Sequence, residues 1–169
     1  MNLLEKVKVP VGYLVIQSYD LDGHLIDQVE GENIIVNNGR EALAHLMGND
    51  STLDWHIDAI KLSNGGYGSN ADPSDITVMK PVNVTDEDLF NTPLFTKEIT
   101  DANISFPDTR KVVFSSSMEA NEGNYGDSQD YSEAGLYYRN GTLMFTHRAF
   151  GYVIKNDKTR LAITWTFTF

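Results

Sequence analysis

The sequence predicts an all-β fold: an antiparallel β-sandwich with one short α-helix. Roughly eight to ten short segments are rich in β-branched and aromatic residues, and clusters of Gly, Asn and Asp separate them. Only one stretch has helical periodicity, whereas a βαβ fold would need many helices. A jelly-roll-like sandwich is one arrangement that such strands can adopt. The 169 residues suffice for one domain with a sizeable core.

The chain begins with a predicted arm, residues 1–10, followed by a single sandwich domain over residues 11–169. The apolar residues of the arm could start a strand or cross to a neighbour: Leu3, Leu4, Val7 and Val9. Residues 11–19 are apolar and β-branched, which predicts a buried strand. A turn at residues 20–23 leads to a second strand over residues 25–30, so the two strands form a hairpin.

One helix is predicted, about ten residues long, between Asn37 and Gly48. Asn37 or Asn38 can cap it through the side-chain oxygen. Glu41 is expected in the first turn, where its charge suits the helix dipole, and Gly48 is a natural stop. Its apolar stripe is Ala42, Leu43, Leu46 and Met47. Such a helix closes one end of a sandwich or covers a sheet edge.

The middle of the chain alternates strands with two loops. The loop over residues 63–75 is rich in Gly, Ser and Asn, and the loop over residues 119–131 is acidic and contains glycine. A single helical turn capped by Thr85 is an alternative reading of part of the irregular segment between them. Strands are predicted at 33–36, 54–62, 94–100, 104–106 and 111–118.

The last stretch, residues 132–169, has the clearest strand pattern. Asn140-Gly141 is a strong two-residue hairpin signal, joining strands over residues 134–139 and 142–147. A further strand at 150–154 leads into the terminal strand. Alternation places five apolar side chains on one face of that strand: Leu161, Ile163, Trp165, Phe167 and Phe169. We expect this face to form the centre of the core.

Charge and composition limit the function classes. The formal net charge is −11, which disfavours binding of nucleic acid phosphates and suits metal cations or basic partners. The sequence has no cysteine, so disulfides, thiolate metal sites and a cysteine nucleophile are excluded. No apolar run approaches the length of a membrane span, and residues 1–10 lack the pattern of a signal peptide.

Two acidic segments are candidates for calcium. The loop carboxylates Glu119, Glu122, Asp127 and Asp130 are hard oxygen ligands at high density, although their spacing fits no calcium motif. A solvated acidic loop is therefore the favoured interpretation, with calcium as the alternative. Asp20, Asp22 and Gly23 resemble the start of a calcium loop but lack its later ligands, so a hairpin turn is favoured there.

No motif indicates catalysis. The sequence has no HExxH pair and no G-x-S-x-G elbow, and the glycines of SNGGYGSN lack the lysine and helix of a phosphate-binding loop. We therefore predict no catalytic residue and no cofactor. Three tyrosines in or beside the two loops are candidates for an interface with a partner or a sugar: Tyr67, Tyr125 and Tyr131. The alternative is that they close the ends of the sandwich.

Three segments carry a family resemblance. They are NIIVNNGREALA at 33–44, SEAGL with NGTLMF between 132 and 145, and LAITWTFTF at 161–169. Their order and spacing resemble small virion structural proteins of tailed bacteriophages, of the tail-fibre, tail-collar or minor structural type. Where relatives often carry Gly-x-Gly after the strand that follows the helix, this sequence has Leu62-Ser63-Asn64-Gly65-Gly66.

The resemblance implies a non-enzymatic virion component at the tail, baseplate, neck or capsid surface, made in the host cytoplasm. It also implies repeated copies in a symmetric assembly, with other virion proteins as partners. The alternative function is a carbohydrate- or receptor-binding module of a tail fibre, which would contact the host surface. Neither function requires a nucleic acid partner or a membrane span.

Overall fold

The computed structural model describes residues 10–68 and 75–169, and within them the all-β fold class is confirmed. The predicted arm lies outside the described residues except for Pro10, as does part of the loop at 63–75. The elements are β1 Val11–Tyr19, β2 Leu25–Ile35, α1 Asn37–Met47, β3 Ile57–Ser63, β4 Phe95–Glu98, a 3-10 turn Asp101–Asn103, β5 Ile104–Asp108, β6 Lys111–Met118, β7 Gln129–Tyr138, β8 Leu143–Lys155 and β9 Arg160–Thr168.

The nine strands form one antiparallel sheet in the order β4-β3-β7-β8-β2-β1-β9-β6-β5. β2 joins the two halves of the sheet, because it pairs with β1 along most of its length and with β8 only at Ile34 and Ile35. The sheet curls so that both halves contribute to one core. Phe145 of β8 and Phe167 of β9 meet edge to face across that core, with ring centroids 5.6 Å apart.

β9 lies in the middle of its half-sheet, between β1 and β6. The predicted buried face is confirmed for four side chains, which are at most 2% exposed: Leu161, Ile163, Trp165 and Phe167. It is wrong for Phe169, which is 55% exposed because it follows the last strand residue, Thr168. The Phe169 amide donates to the Arg110 carbonyl at 2.9 Å, so the backbone is held although the ring is not covered.

The helix is confirmed, but the predicted capping is wrong. The residue before α1 is Val36, and no side chain caps the first turn, because Asn37 and Asn38 already lie inside the helix. Glu41 therefore comes after the first turn, which contains no acidic residue. Ala42 is buried as predicted, whereas Met47 at the end of the stripe is 86% exposed.

The helix ends in a Schellman motif rather than at a left-handed glycine. Gly48 has ordinary backbone angles, and Asn49 takes the left-handed conformation with φ of 53°. The amides of Asn49 and Asp50 donate to the carbonyls of Leu46 and His45. These bonds satisfy two carbonyl groups in the last turn that have no partner within the helix.

The hairpin at Asn140-Gly141 is confirmed with a longer turn than the two residues predicted. β7 ends at Tyr138 and β8 begins at Leu143, so residues 139–142 form the connection. Both central residues have positive φ, 56° and 69°. The carboxylate of Asp58 in β3 accepts the amide hydrogens of both residues, and this anchors the turn to the neighbouring strand.

Candidate functional site

Four polar side chains meet in the interior beside the long connection from β3 to β4. We call Ser63, Asp86, Glu133 and His147 the Glu133 network. Ser63 ends β3, Glu133 lies in β7 and His147 in β8, and Asp86 belongs to the connection. Ser63, Glu133 and His147 are fully buried. Buried charge of this kind needs partners, because its transfer from water is costly.

Protein donors surround the Glu133 carboxylate. Its Oε1 accepts hydrogen bonds from the Ser63 hydroxyl and from the amides of Gly65 and Asn91, at 3.1 and 3.0 Å for the amides. Its Oε2 accepts from the Phe90 amide at 2.9 Å and lies 3.0 Å from Nε2 of His147. Five donors for about four lone-pair positions leave no free position for a substrate proton or a metal ion.

His147 bridges two carboxylates. Its Nε2 faces Glu133 Oε2, and its Nδ1 lies 2.8 Å from Asp86 Oδ2. Both contacts are hydrogen bonds when both ring nitrogens carry hydrogen, as in the imidazolium form. The Phe90 ring packs over the imidazole with centroids 4.7 Å apart, which closes the network on that side.

The order of contacts argues against a catalytic triad. In a triad the histidine binds the serine hydroxyl and takes its proton. Here the Ser63 hydroxyl donates to Glu133, and both ring nitrogens of His147 face carboxylates. The arrangement instead fastens the connection after β3 to the sheet, because the amides of Gly65, Phe90 and Asn91 all bind one carboxylate.

The glycines of this loop serve close packing. A Cβ at Gly66 would overlap the carbonyl of Ser132, and a Cβ at Gly65 would overlap the Glu133 carboxylate. The Gly66 amide donates to the Ser132 hydroxyl at 2.9 Å. The sequence already disfavoured a phosphate-binding loop, and the structure gives Gly65 and Gly66 a different reason: only residues without a side chain fit against β7.

The electrostatics of Glu133 follow from these contacts. Burial acts to raise the pKa of its carboxyl, but hydrogen bonds from His147, Ser63 and the Phe90 and Asn91 amides outweigh it, so the pKa lies below the ordinary range. The folded state therefore binds fewer protons than the unfolded state in mildly acidic solution. This contribution to stability is complete above about pH 4.3 and is lost as the pH falls through the folded-state pKa.

Replacing Ser63 by alanine is expected to move this acid-induced loss of stability to higher pH. The variant removes one of the hydrogen bonds that lower the Glu133 pKa while keeping the carboxylate. Urea unfolding followed between about pH 3 and 7 measures it. The matched control is Ser116→Ala, since the Ser116 hydroxyl has no hydrogen-bond partner among the described residues. Identical pH profiles for the two variants would contradict this role of Ser63.

The predicted acidic loop, residues 119–131, is held by two lysines. Lys97 Nζ lies 2.7 Å from Glu122 Oε1, and the other Glu122 oxygen accepts the Glu119 amide at 2.9 Å. Buried Lys155 donates to the Ala120 and Asn156 carbonyls and to Asn124 Oδ1, which uses all three of its hydrogens. Burial lowers the Lys155 pKa, and neighbouring Glu122 acts in the opposite direction.

The predicted calcium ligands of this loop are not brought together. Glu119, Glu122, Asp127 and Asp130 form no cluster, and Glu122 already pairs with Lys97. Within residues 10–68 and 75–169, three metal-type ligands converge only at Asp20, Asp22 and His24 in the β1–β2 turn. These side chains are largely exposed, and Asp20 accepts hydrogen bonds from the amide and ring of His24, as expected of a hairpin turn.

The three candidate interface tyrosines have different positions. Tyr131 is fully buried and donates to the Gly123 carbonyl at 2.8 Å, so it faces the core from β7 rather than an exposed interface. Tyr67 is half-buried and stacks on Tyr152 with ring centroids 4.4 Å apart. Tyr125 is 54% exposed, with its hydroxyl bound to the Leu94 carbonyl at 2.6 Å.

An apolar cleft of about 180 Å³ opens at the helix end of the core. Its walls come from α1, from the segment before β3 and the first residue of β3, and from strands β5, β6, β8 and β9. Two rings at its mouth are largely exposed, Phe106 and Phe169. Alternation had predicted Phe169 in the core, and no sequence pattern indicated the cleft.

The Glu133 network was not predicted from the sequence. The predicted strands over residues 134–139 and 142–147 place Glu133 just before the first and His147 at the end of the second, and no local pattern joins them. The available signal was the position of Glu133 inside SEAGLYY, where a single charge lies in a run of small and apolar residues. A charge in such a run needs a buried partner.

Comparison with known proteins does not extend this picture. No protein-family model matches the chain, and the comparisons with curated proteins and with solved structures found no match. Among the described residues, no helix is long and apolar enough to cross a membrane.

Proposed function

We propose that the protein is a non-enzymatic structural component of a tailed-bacteriophage virion, located at the tail, baseplate, neck or capsid surface. The observation that carries the proposal is the use of the buried polar groups. Glu133 and His147, the groups best suited to acid–base chemistry, are sealed from solvent and bonded to loop amides and to Asp86. Their role is to hold loops rigidly, which suits a part that must keep its shape in an assembly.

The segments that resemble phage virion proteins support the same proposal. They correspond to the end of β2 with α1, to the β7–β8 hairpin and to β9. These elements pack together, since α1 contacts β8 and Phe145 meets Phe167. The three segments therefore contribute residues to the core, while the acidic loop and the β1–β2 turn lie outside these segments.

The test is the protein content of purified particles. Particles of the phage that encodes this chain, banded twice in a density gradient, are expected to contain its peptides by mass spectrometry at a constant ratio to the major capsid protein. An abundant host cytosolic protein measured in the same fractions controls for contamination. A ratio no higher than that of the host protein would overturn the proposal.

A second candidate function is recognition of a host glycan or receptor, favoured by the exposed Tyr125 ring. Its hydroxyl is fixed to the Leu94 carbonyl, so the ring is held in place for stacking on a sugar. Glycan-array binding that is lost in Tyr125→Ala and kept in Tyr13→Ala, a partly exposed strand tyrosine, would support it. Binding to no glycan, or equal binding by both variants, would exclude it.

A further inference from the structure

β2 has the longest unpaired edge among the described strands. The two strands that end the sheet are short, with four residues in β4 and five in β5, and β5 contains Pro107. Short edges and proline are the usual protection against pairing with another chain. β2 pairs with β8 only through Ile34 and Ile35, so no strand within residues 10–68 and 75–169 pairs with its edge over residues 25–33.

Side chains occupy part of this edge. The Arg148 guanidinium donates to the carbonyls of Glu30, at 3.2 Å, and Glu32. The Gln28 amide donates to the carboxylate of its neighbour Asp27 at 2.8 Å. Residues 28, 30 and 32 therefore direct backbone groups away from β1, and a further strand would exchange the contacts of Asp27 and Arg148 for its own backbone hydrogen bonds.

The two faces of this edge differ in character. Val29 points inward and packs against the core, whereas Glu30 and Glu32 are exposed on the outer face. A groove of about 370 Å³ lies between the open part of β2 and β8, next to Ile26 and Ile154, which are both 56% exposed. A strand that fits here needs apolar residues on its inner face and positive charge on its outer face.

The chain itself contains such a strand sequence. In EKVKV, residues 5–9, Lys6 and Lys8 alternate with Val7 and Val9, so one face is basic and the other apolar. Residues 3–9 would span about 23 Å when extended, which fits the open stretch of β2. Pairing of two β2 edges with each other is disfavoured, because it would bring two acidic faces together.

The segment must come from a second copy. The gap between β2 and β8 ends where Ile34 pairs with His147. β1 begins beside that closed end, since Gly12 lies opposite Asn33. Residues 3–9 of the same copy would have to cross the paired strands to reach the open edge, whereas those of a neighbour can enter from the side.

We propose that residues 3–9 of one copy bind as an added strand along the open edge of β2 in a neighbouring copy. Val7 and Val9 face the groove, and Lys6 and Lys8 lie beside Glu30 and Glu32. This deepens the proposed function by naming how copies join, and it rests on that function only in expecting repeated copies. Strand addition of this type obtains affinity from backbone hydrogen bonds and specificity from the alternating side chains.

The test is the mass of the full chain in solution, measured by light scattering over a concentration series up to about 1 mM. The wild-type chain is expected to associate, and more weakly as salt rises. Gln28→Pro removes an outward amide without touching the pairing to β1, and is expected to weaken association about tenfold or more. Gln28→Ala is the matched control and is expected to associate like wild type.

The double variant Lys6→Glu with Lys8→Glu tests whether residues 3–9 are the segment that binds β2. Both substitutions lie outside the described fold. Its control is Lys111→Glu with Lys158→Glu, which changes the net charge equally at two exposed sites. A monomeric wild type, equal association of the two Gln28 variants, or equal association of the two lysine variants would each overturn the proposal. Association in solution with absence from virions would instead overturn only the proposed function.

Discussion

Replacing Trp165 by alanine is expected to lower the free energy of unfolding by about 3–5 kcal/mol. The indole is fully buried in β9, opposite Leu14 of β1 and Phe114 of β6, so its loss leaves a cavity in the middle of the sheet. Its Nε1 also donates to Asn33 Oδ1 at 2.9 Å, and that oxygen would lose its donor. Urea unfolding monitored by circular dichroism measures the change.

Phe169→Ala is the matched control for Trp165→Ala. Alternation along the terminal segment places Trp165 and Phe169 on the same face. The Phe169 ring is nevertheless largely exposed, because it lies beyond the end of β9. Its truncation is expected to change stability by no more than about 0.5 kcal/mol. Similar losses for the two variants would contradict the position of the strand end.

Replacing Glu133 by alanine is expected to destabilise the fold by about 3–5 kcal/mol. The substitution leaves the Ser63 hydroxyl, the amides of Gly65, Phe90 and Asn91 and the His147 ring without their shared acceptor. Thermal unfolding measures the loss of stability. Hydrogen exchange locates the loss of stability, because the amides of Gly65, Phe90 and Asn91 are expected to lose more protection in the variant than the amides of β9.

Glu98→Ala is the control for the Glu133 substitution. Glu98 also lies on a strand but is exposed at the edge of the sheet, so its removal is expected to have little effect. Unchanged protection of the Gly65, Phe90 and Asn91 amides in Glu133→Ala would show that the carboxylate does not hold the connection.

The sequence was sufficient to predict the structure of segments in which one pattern of hydrophobic alternation determines the secondary structure. The alternation in β9 was sufficient because β1 and β6 bury the same face from both sides. It could not place the end of the strand, since Phe169 continues the pattern one step past the last residue of β9. The capping residue of α1 was missed for a related reason: Asn37 and Asn38 are both good caps, and the pairing of Ile34 and Ile35 with β8 decided where the helix begins.

The Glu133 network could not be predicted because its contacts are distant in sequence. The donors to Glu133 come from Ser63 and Gly65, from Phe90 and Asn91, and from His147, and only the curled sheet brings them together. The predicted strand begins at residue 134, one position after Glu133, so this carboxylate was not expected inside a strand. β7 begins at Gln129, however, so Glu133 lies well inside a buried strand whereas Glu119 and Glu122 remain in the loop.

The place of β9 in the sheet also affects how the protein is made. β1 leaves the ribosome well before its partner strand β9, which is synthesised roughly 150 positions later. At about 5–20 residues per second, β1 waits on the order of ten to thirty seconds before that edge is covered. During synthesis β1 can pair only with β2, so the nascent chain exposes Leu14 and Ile16 until translation has passed Thr168.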